Sequence, residues 1–508
     1  MLAIVLPACG THLPDSAFRS GTVSAGGTAA AAGGSPGAVD GGSLDAGAGG
    51  VNASGAGGSA GVSGSGPAGV GSTGGGAAGA APVAGSPGAA GGPAGATAAA
   101  NGASDVGVTP TSIRIGNVTG ATGALGPDAF GVTLNGLRIW VASINARGGI
   151  NGRKVDLQTC DDGQDGSQNI ACTQQLVGQK KVFALIANNS LSSSGSAHYE
   201  FTQGVPDLGF PLNNGYYKYP NMFSIEGTPY PRDGKQVGFS GNTYGPTGIY
   251  RWFKQERHVD RAAFFFYSVA ASSSQGHIQS QAAKTEGIQD VYEPSGGQGE
   301  NIAAPNFDSD VLAMKGKGSG APQAIFDAID VNGNQKLCAS MDRYNFDVVA
   351  KVSTIEVWNQ DLGSSAWSQH CRNEVFVAGT SISYAESSNP AVAAYLNDYK
   401  TYGNGGLQAQ WTLEGYATGV MFADGVAQMG ASPTRKGFIA WLDGLRDYTD
   451  HGYFTPRDYV IRPPNQTVHD CSTIAQWQDS ANAFVTRAPL THCIESAQIG
   501  GPASQDNS

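Results

Sequence analysis

Near residue 105 the hydrophobic pattern of the chain changes character. Downstream, short apolar or alternating runs take turns with longer stretches whose apolar residues recur every three or four positions, the signatures of strands and amphipathic helices. Ser112-Ile-Arg-Ile-Gly-Asn-Val118 reads as a strand and Thr119 to Gly126 as a glycine-rich loop. Val132 to Asn145 carries Leu134, Leu137, Ile139 and Val141 to Ile144 on a helical stripe, stopped by Gly148-Gly149. Strand 154–159, helix 168–177 and strand 182–187 continue the alternation. After Phe223 it restarts with helix 245–255, strand 262–267, helix 276–286, strand 289–292, helix 307–314, strand 324–329 and helix 334–344. A third pass runs from Val375 through helices 390–401, 413–429 and 434–445. Such alternation predicts right-handed crossovers and parallel sheets with helices on both faces. The expected fold is α/β, with two doubly wound parallel-sheet lobes joined by more than one crossover. Lobe 1 is expected over 105–228 and 375–455, and lobe 2 over 229–374 and 456–508.

Upstream of this region there is no period. Residues 21–104 hold 29 of the 76 glycines, no aromatic residue, no Lys, Arg or Glu, and two charges, Asp40 and Asp45. Such a segment cannot bury enough apolar surface to offset roughly 1 to 2 kcal/mol per residue of backbone ordering. Residues 10–104 are therefore expected to form a disordered Gly/Ala/Ser tether ahead of the folded part. The opening, Leu6-Pro7-Ala8-Cys9-Gly10, resembles the processing signal of bacterial lipoproteins, in which small residues precede the cysteine that becomes lipidated. Only the end of the apolar segment of such a signal is present in residues 1–9, as expected if the natural start lies upstream. Cys9 is the expected lipid anchor, and the tether would hold a folded module off the membrane.

The remaining six cysteines are Cys160, Cys172, Cys338, Cys371, Cys471 and Cys493. None forms a CxxC pair or lies near a histidine at finger spacing, so zinc sites read poorly and disulfides of an exported protein read well. Six cysteines allow fifteen connectivities. Sequential pairing is the simplest: Cys160 with Cys172, Cys338 with Cys371, and Cys471 with Cys493.

The net charge of -11 excludes a phosphate-backbone binder, and no run of 18 apolar residues spans a bilayer. Signatures of catalysis are weak. There is no HExxH and no GxxxxGK[ST], and the GxSxG at Gly57 to Gly61, like the one at Gly33 to Gly37, falls inside the tether, where no nucleophile elbow forms. His198 reads as a helix-face residue. Asp161, Asp162 and Asp165 open like a calcium loop, but its twelfth position is Cys172 where a glutamate is required, so turn and helix-cap roles are expected. An enzyme, a cofactor and a metal are all unexpected.

Asn145-Ala-Arg-Gly-Gly-Ile-Asn-Gly-Arg-Lys-Val155, followed by Asp161-Asp162-Gly163-Gln164-Asp165, resembles the opening of type I periplasmic solute-binding proteins, specifically the branched-chain amino-acid binding group of ABC importers. Phe183-Ala-Leu-Ile-Ala-Asn-Asn-Ser-Leu-Ser-Ser-Ser194 resembles that family's third strand and serine-rich loop, and Gly209-Phe-Pro211 its fourth strand. Ala262 to Tyr267 and Asn306-Phe-Asp-Ser-Asp310 resemble parts of its second lobe, so the likeness is colinear over about residues 106–460. The last ~45 residues fall outside it and are expected to form an appendage stapled by Cys471 and Cys493.

The resemblance implies a small ligand held between the lobes. By position in the family motif, Ser192, Ser193 and Ser194 face the ligand, with Ser193 foremost for its carboxylate, since hydroxyls and free N–H groups at a helix N-terminus suit an anion. Asn213 and Asn214 follow the fourth strand, where the family has small residues and a hydroxyl. Glu356 falls near the second-lobe acid that pairs with a ligand ammonium. Where the family presents aromatic rings this chain has Leu125, Gln275 and Asp330, so the ligand need not be leucine, isoleucine or valine. Tyr216, Tyr217 and Trp358 are candidate replacement walls. The implied protein is an exported, lipid-anchored, monomeric substrate-binding lipoprotein, periplasmic or at the cell surface. It would deliver an amino acid or related carboxylate to an ABC permease; a ligand-sensing receptor module of the same fold is the alternative.

Overall fold

The computed structural model describes residues 101–462, except 124, 229, 356–357, 359–366 and 369, together with 470–488, 493–494 and 496–500. All belong to the unit Pro93–Ser508. Cys9, residues 10–100 of the tether and Glu356 lie outside the described residues, while 101–104, expected in the tether, belong to the folded part, where Arg153 donates to the Gly102 carbonyl at 3.0 Å.

The first sheet is built by β1 (Ser112–Thr119), α1 (Pro127–Ala146), β2 (Lys154–Asp161), α2 (Gly166–Gln174), β3 (Ala184–Ile186), α3 (Ser194–Gln203), β4 (Asp207–Gly209), α4 (Gly215–Lys218) and β5 (Met222–Ser224). Its order is β2-β1-β3-β4-β5, parallel throughout. Helices cover both faces, so β3, β4 and β5 are buried at every residue instead of alternating.

Next come β6 (Thr243–Pro246), α5 (Gly248–Arg257), β7 (Arg261–Phe266), α6 (Ala270–Thr285), β8 (Gln289–Tyr292), α7 (Asp308–Lys315), β9 (Ala324–Ala328), α8 (Val331–Arg343), β10 (Ala350–Thr354) and β11 (Val375–Gly379). The helices α9 (Pro390–Tyr402), α10 (Gln410–Gln428) and α11 (Arg435–Asp443) follow, then β12 (Asp470–Cys471), β13 (Thr473–Gln478), β14 (Ala483–Ala488), β15 (Cys493–Ile494) and β16 (Ser496–Gly500). The second sheet has the order β14-β13-β11-β10-β9-β7-β8. Its β7 to β11 strands are parallel, and β13 and β14 add antiparallel. β16 pairs with β6, and β12 with β15.

Two expectations differ from this arrangement. Val375–Gly379 was expected to lead back into lobe 1 but is the last parallel strand of the second sheet, with Val375, Phe376 and Val377 fully buried between β10 and β13. The return begins only with α9 to α11. There α10 crosses α1 so closely that a Cβ on Gly136 would lie 1.9 Å from the Thr412 carbonyl oxygen, and one on Gly415 2.1 Å from that of Thr133. The C-terminal segment is also no mere appendage. β13 buries Ile474, Ala475 and Trp477 and closes the β11 edge, which would otherwise expose a row of unpaired backbone groups.

Cys160 is bonded to Cys172, tying β2 to α2, and Cys338 to Cys371, tying α8 to the turn before β11. Cys471 and Cys493 are register partners of β12 and β15, while their side chains lie outside the described ones. Asp165 caps α2 by accepting from the Gln168 N–H at 2.9 Å, and Asp161 accepts from the N–H groups of Ala121, Thr122 and Gly163 at 3.0 to 3.2 Å, the turn and cap roles expected of these acids. Among the described residues no helix is long and apolar enough to cross a membrane.

Candidate functional site

The five parallel strands β8-β7-β9-β10-β11 repeat the strand order of the first sheet. In each sheet the order reverses beside the first strand, between β1 and β3 and between β7 and β9. At such a switch point adjacent loops part in opposite directions, leaving a crevice beyond the carboxyl ends of the strands. A cavity of about 440 Å³ lies there, lined by Leu125 after β1, Leu191 and Ser194 after β3, Tyr267, Val269 and Ala270 after β7, and Ile329 and Asp330 after β9. Among the described residues, three chain passages join the lobes and are tied to one another by hydrogen bonds from Thr228 N–H to the Asp458 carbonyl (3.0 Å), Thr455 N–H to the Thr380 carbonyl (2.8 Å) and Ile382 N–H to the Tyr453 carbonyl (2.9 Å).

On the first-lobe side, α3 starts at Ser194, and among the described residues no side chain caps its first N–H groups. Of the three serines expected at the ligand, Ser194 lines the cavity. The Ser193 hydroxyl donates to the Ser190 carbonyl (3.0 Å) and accepts from the Asn213 amide (2.8 Å), and the Ser192 hydroxyl donates to the Gln164 carbonyl (2.7 Å). Both shape the loop that presents Ser194. Asn213 and Asn214 line the cavity, the first also accepting from the Gly215 N–H at 2.7 Å. Trp411 stands between Phe130 and Phe210, with ring centroids 5.5 Å away on either side, and gives this lobe an aromatic wall.

On the second-lobe side, Gln275 and Asp330 line the cavity. Asp330 is largely committed to structure: it caps α8 through the N–H groups of Asn332 and Gly333, each at 3.1 Å, and accepts from the Tyr267 hydroxyl at 2.6 Å. Burial and then the Asp330 charge push the Tyr267 phenol well above its ordinary pKa, so it remains a donor. Of the aromatic replacements expected, Tyr217 lines the cavity. Tyr216 is buried and donates to Asp207 at 3.1 Å, and Trp358 packs on Tyr384 and Phe484.

Two charged residues of the cavity escaped the sequence reading. Glu226, just after β5, and Arg457, on the last passage between lobes, both line it. Glu226 is open to the cleft yet ringed by protein, and this desolvation raises its carboxyl pKa against the opposing pull of Arg457. Among the described residues no cation makes a direct ion pair with it. The Arg457 guanidinium is 4% exposed and stacks on Phe454 with its centre 3.9 Å from the ring centroid, its Nε donating to the Tyr459 hydroxyl at 3.3 Å. Tyr217 stands beside Glu226, whose charge adds to the burial that raises the tyrosine's pKa, and meets Tyr230 edge to face at 5.5 Å. The available signal was positional. Phe223-Ser-Ile-Glu226 puts an acid directly after a buried strand, where a crossover leaves the sheet, but the distance in sequence from Glu226 to Arg457 hides their proximity.

Two doubly wound lobes joined by three passages around a cavity at both switch points are the type I periplasmic binding fold. The chain belongs to the periplasmic binding protein family, a family of solute-binding proteins and not of enzymes, whose family model matches residues 112–482. Among solved structures it is similar to the branched-chain amino acid transporter substrate-binding protein LivJ from Streptococcus pneumoniae in complex with isoleucine, at 16% identity and a TM-score of 0.54, covering 74% of this chain and all of that one. A fatty acid ABC transporter substrate-binding protein from Thermomonospora curvata is similar at 14% identity and a TM-score of 0.58, covering 78% of this chain and 98% of that one. A solute-binding protein of an ABC transporter from Rhodopseudomonas palustris, in complex with 3,4-dihydroxybenzoic acid, is similar at 14% identity and a TM-score of 0.57, covering 77% and 98%. No curated protein matches the chain.

Proposed function

We propose that this chain is the extracytoplasmic substrate-binding lipoprotein of an ABC importer, anchored through Cys9, which captures a small amino acid or related carboxylate and delivers it to a permease. The observation that carries the ligand class is the placing, on one cavity, of a helix N-terminus bearing Ser194 without a side-chain cap and of an acid, Glu226, without a direct ion pair among the described residues. The first suits a carboxylate and the second an ammonium. In this reading Ser194, Asn213 and Asn214 hold the carboxylate end, with Ser193 orienting Asn213, and Gln275 and Asp330 complete the opposite wall. The ligands named for the similar structures, isoleucine, a fatty acid and 3,4-dihydroxybenzoic acid, share a carboxylate and little else. Aromatic walls of Trp411, Phe130 and Tyr217 in a cavity of about 440 Å³ leave room for a side chain larger than leucine.

A thermal-shift screen of the whole protein against amino acids, aromatic acids and fatty acids identifies the ligand, since only a bound solute raises the melting temperature. For an amino acid, Glu226→Gln is expected to weaken calorimetric binding by about 10- to 100-fold, the value of a charge-assisted bond, while leaving a carboxylate without an amine unaffected. Equal affinity of wild type and variant for the amino acid removes Glu226 from the site; a screen without any hit removes the transport reading.

A further inference from the structure

Away from the cavity, the last turns of α10 and the short helical turn Asp450–Gly452 after α11 gather three side chains that solute binding does not use. We propose that Asp424, Asp450 and His451 bind one divalent transition-metal ion, zinc being the first candidate. One donor atom from each lies within 4.8 Å of the other two. His451 Nε2 is 2.9 Å from Asp424 Oδ2, and the Tyr448 hydroxyl, with one proton to share, lies 2.9 Å from Asp424 Oδ2 and 3.2 Å from Asp450 Oδ1, so the two carboxylates are held toward a common point.

A second observation points to a ligand. Asp450 is 1% exposed, and its other oxygen, Oδ2, has no hydrogen-bond partner among the described residues. Leaving a buried carboxylate oxygen unsatisfied is costly, and a cation in the cluster supplies the missing interaction. His451 is exposed and leaves a route in from solvent. The donor set selects the metal: one imidazole with two carboxylates suits zinc, manganese or cobalt, whereas calcium and magnesium take oxygen ligands alone. The Arg457 guanidinium, 5.4 Å from the Tyr448 ring centroid, adds positive charge on one side and sets the affinity below that of an all-anionic cage. No sequence motif announces the site, because its parts lie on two elements that only the packing of lobe 1 brings together.

The test is zinc titration of the full-length protein, purified without a histidine tag and stripped with a chelator. One equivalent of zinc by calorimetry and by elemental analysis is expected, with a rise in melting temperature. His451→Ala, a change at an exposed residue, is expected to weaken binding at least about tenfold without lowering the melting temperature of the metal-free protein. Cobalt in place of zinc is expected to give visible absorption bands that the variant lacks. Wild type that takes up no zinc, or a His451→Ala protein that binds it as tightly, overturns the proposal.

Discussion

The two lobes repeat one strand order, yet they bury opposite kinds of charge pair. In lobe 1, Glu200 on α3 and Asp207 at the start of β4 are 2% and 1% exposed. Burial raises both carboxyl pKa values, and for Asp207 the neighbouring Glu200 raises it further, well above the ordinary range, despite bonds from Asn188 at 2.9 Å and Tyr216 at 3.1 Å. Two like charges in one dry site cannot both persist, so the pair keeps a proton. In lobe 2, Lys351 on β10 and Asp327 on β9 are wholly buried with Nζ 2.8 Å from Oδ2. Ser353 donates to the same oxygen at 2.8 Å, and Asn334 bonds both members of the pair. Burial lowers the Lys351 pKa and Asp327 opposes it. One lobe solves its buried charge with a proton and the other with a partner, so the two should answer in opposite senses to neutralisation.

The largest effect is expected in lobe 2. Lys351→Met leaves Asp327 buried and unpaired and should cost about 3 to 5 kcal/mol in denaturant unfolding, whereas Lys351→Met with Asp327→Leu should recover most of it. A loss below 1 kcal/mol for the single change would show that water reaches the pair. The disulfides come next. Chain entropy assigns about 3 kcal/mol to the Cys160–Cys172 bond of lobe 1, whose ends are 12 residues apart, and nearly 4 to the Cys338–Cys371 bond of lobe 2, with 33. Serine replacement of each pair should rank them in that order, and the reverse ranking would mean that local packing outweighs loop length.

The smallest effect belongs to lobe 1 and has the opposite sign. Asp207 and Glu200 have folded pKa values above their unfolded ones, so their contribution is fully present below the unfolded range near pH 4 and is lost as pH rises through the folded values. Asp207→Asn should therefore stabilise the protein at neutral pH by roughly 1 to 2 kcal/mol and flatten the fall in stability on going alkaline. A variant that is less stable at pH 7 with an unchanged pH profile would break the contrast between the lobes.

Much of the architecture was legible in the pattern of residues. The strand and helix alternation from Ser112 to Val155 and from Ala262 to Arg343 needs only local periodicity, because a strand buried on both faces is apolar throughout and a covering helix repeats every three to four residues. β10 escaped because Ala350-Lys-Val-Ser-Thr354 carries a lysine and a serine that are tolerable in a core only with Asp327 and Asn334 at hand. β11 was assigned to the wrong lobe because strand order is a property of the sheet and not of the strand. Within the cavity, Ser194, Asn213, Asn214, Gln275 and Asp330 could be named because the family resemblance fixes their places in its motif. Glu226 and Arg457 could not, since three interlobe passages set side by side residues that are far apart in the chain.

By itself the sequence determined the two-lobed α/β class, the contrast between a glycine-rich N-terminal stretch and a core-forming remainder, and the Asp165 cap. Each depends on interactions over a few residues or on composition, which the chain states directly. Only the tertiary structure decided which serine faces the cavity, which acid there lacks a partner, whether a buried charge meets its like or its opposite, and that Asp424 meets Asp450 and His451. Those outcomes depend on distances between elements, and such distances are fixed by how helices and sheets pack, not by the order in which they are written.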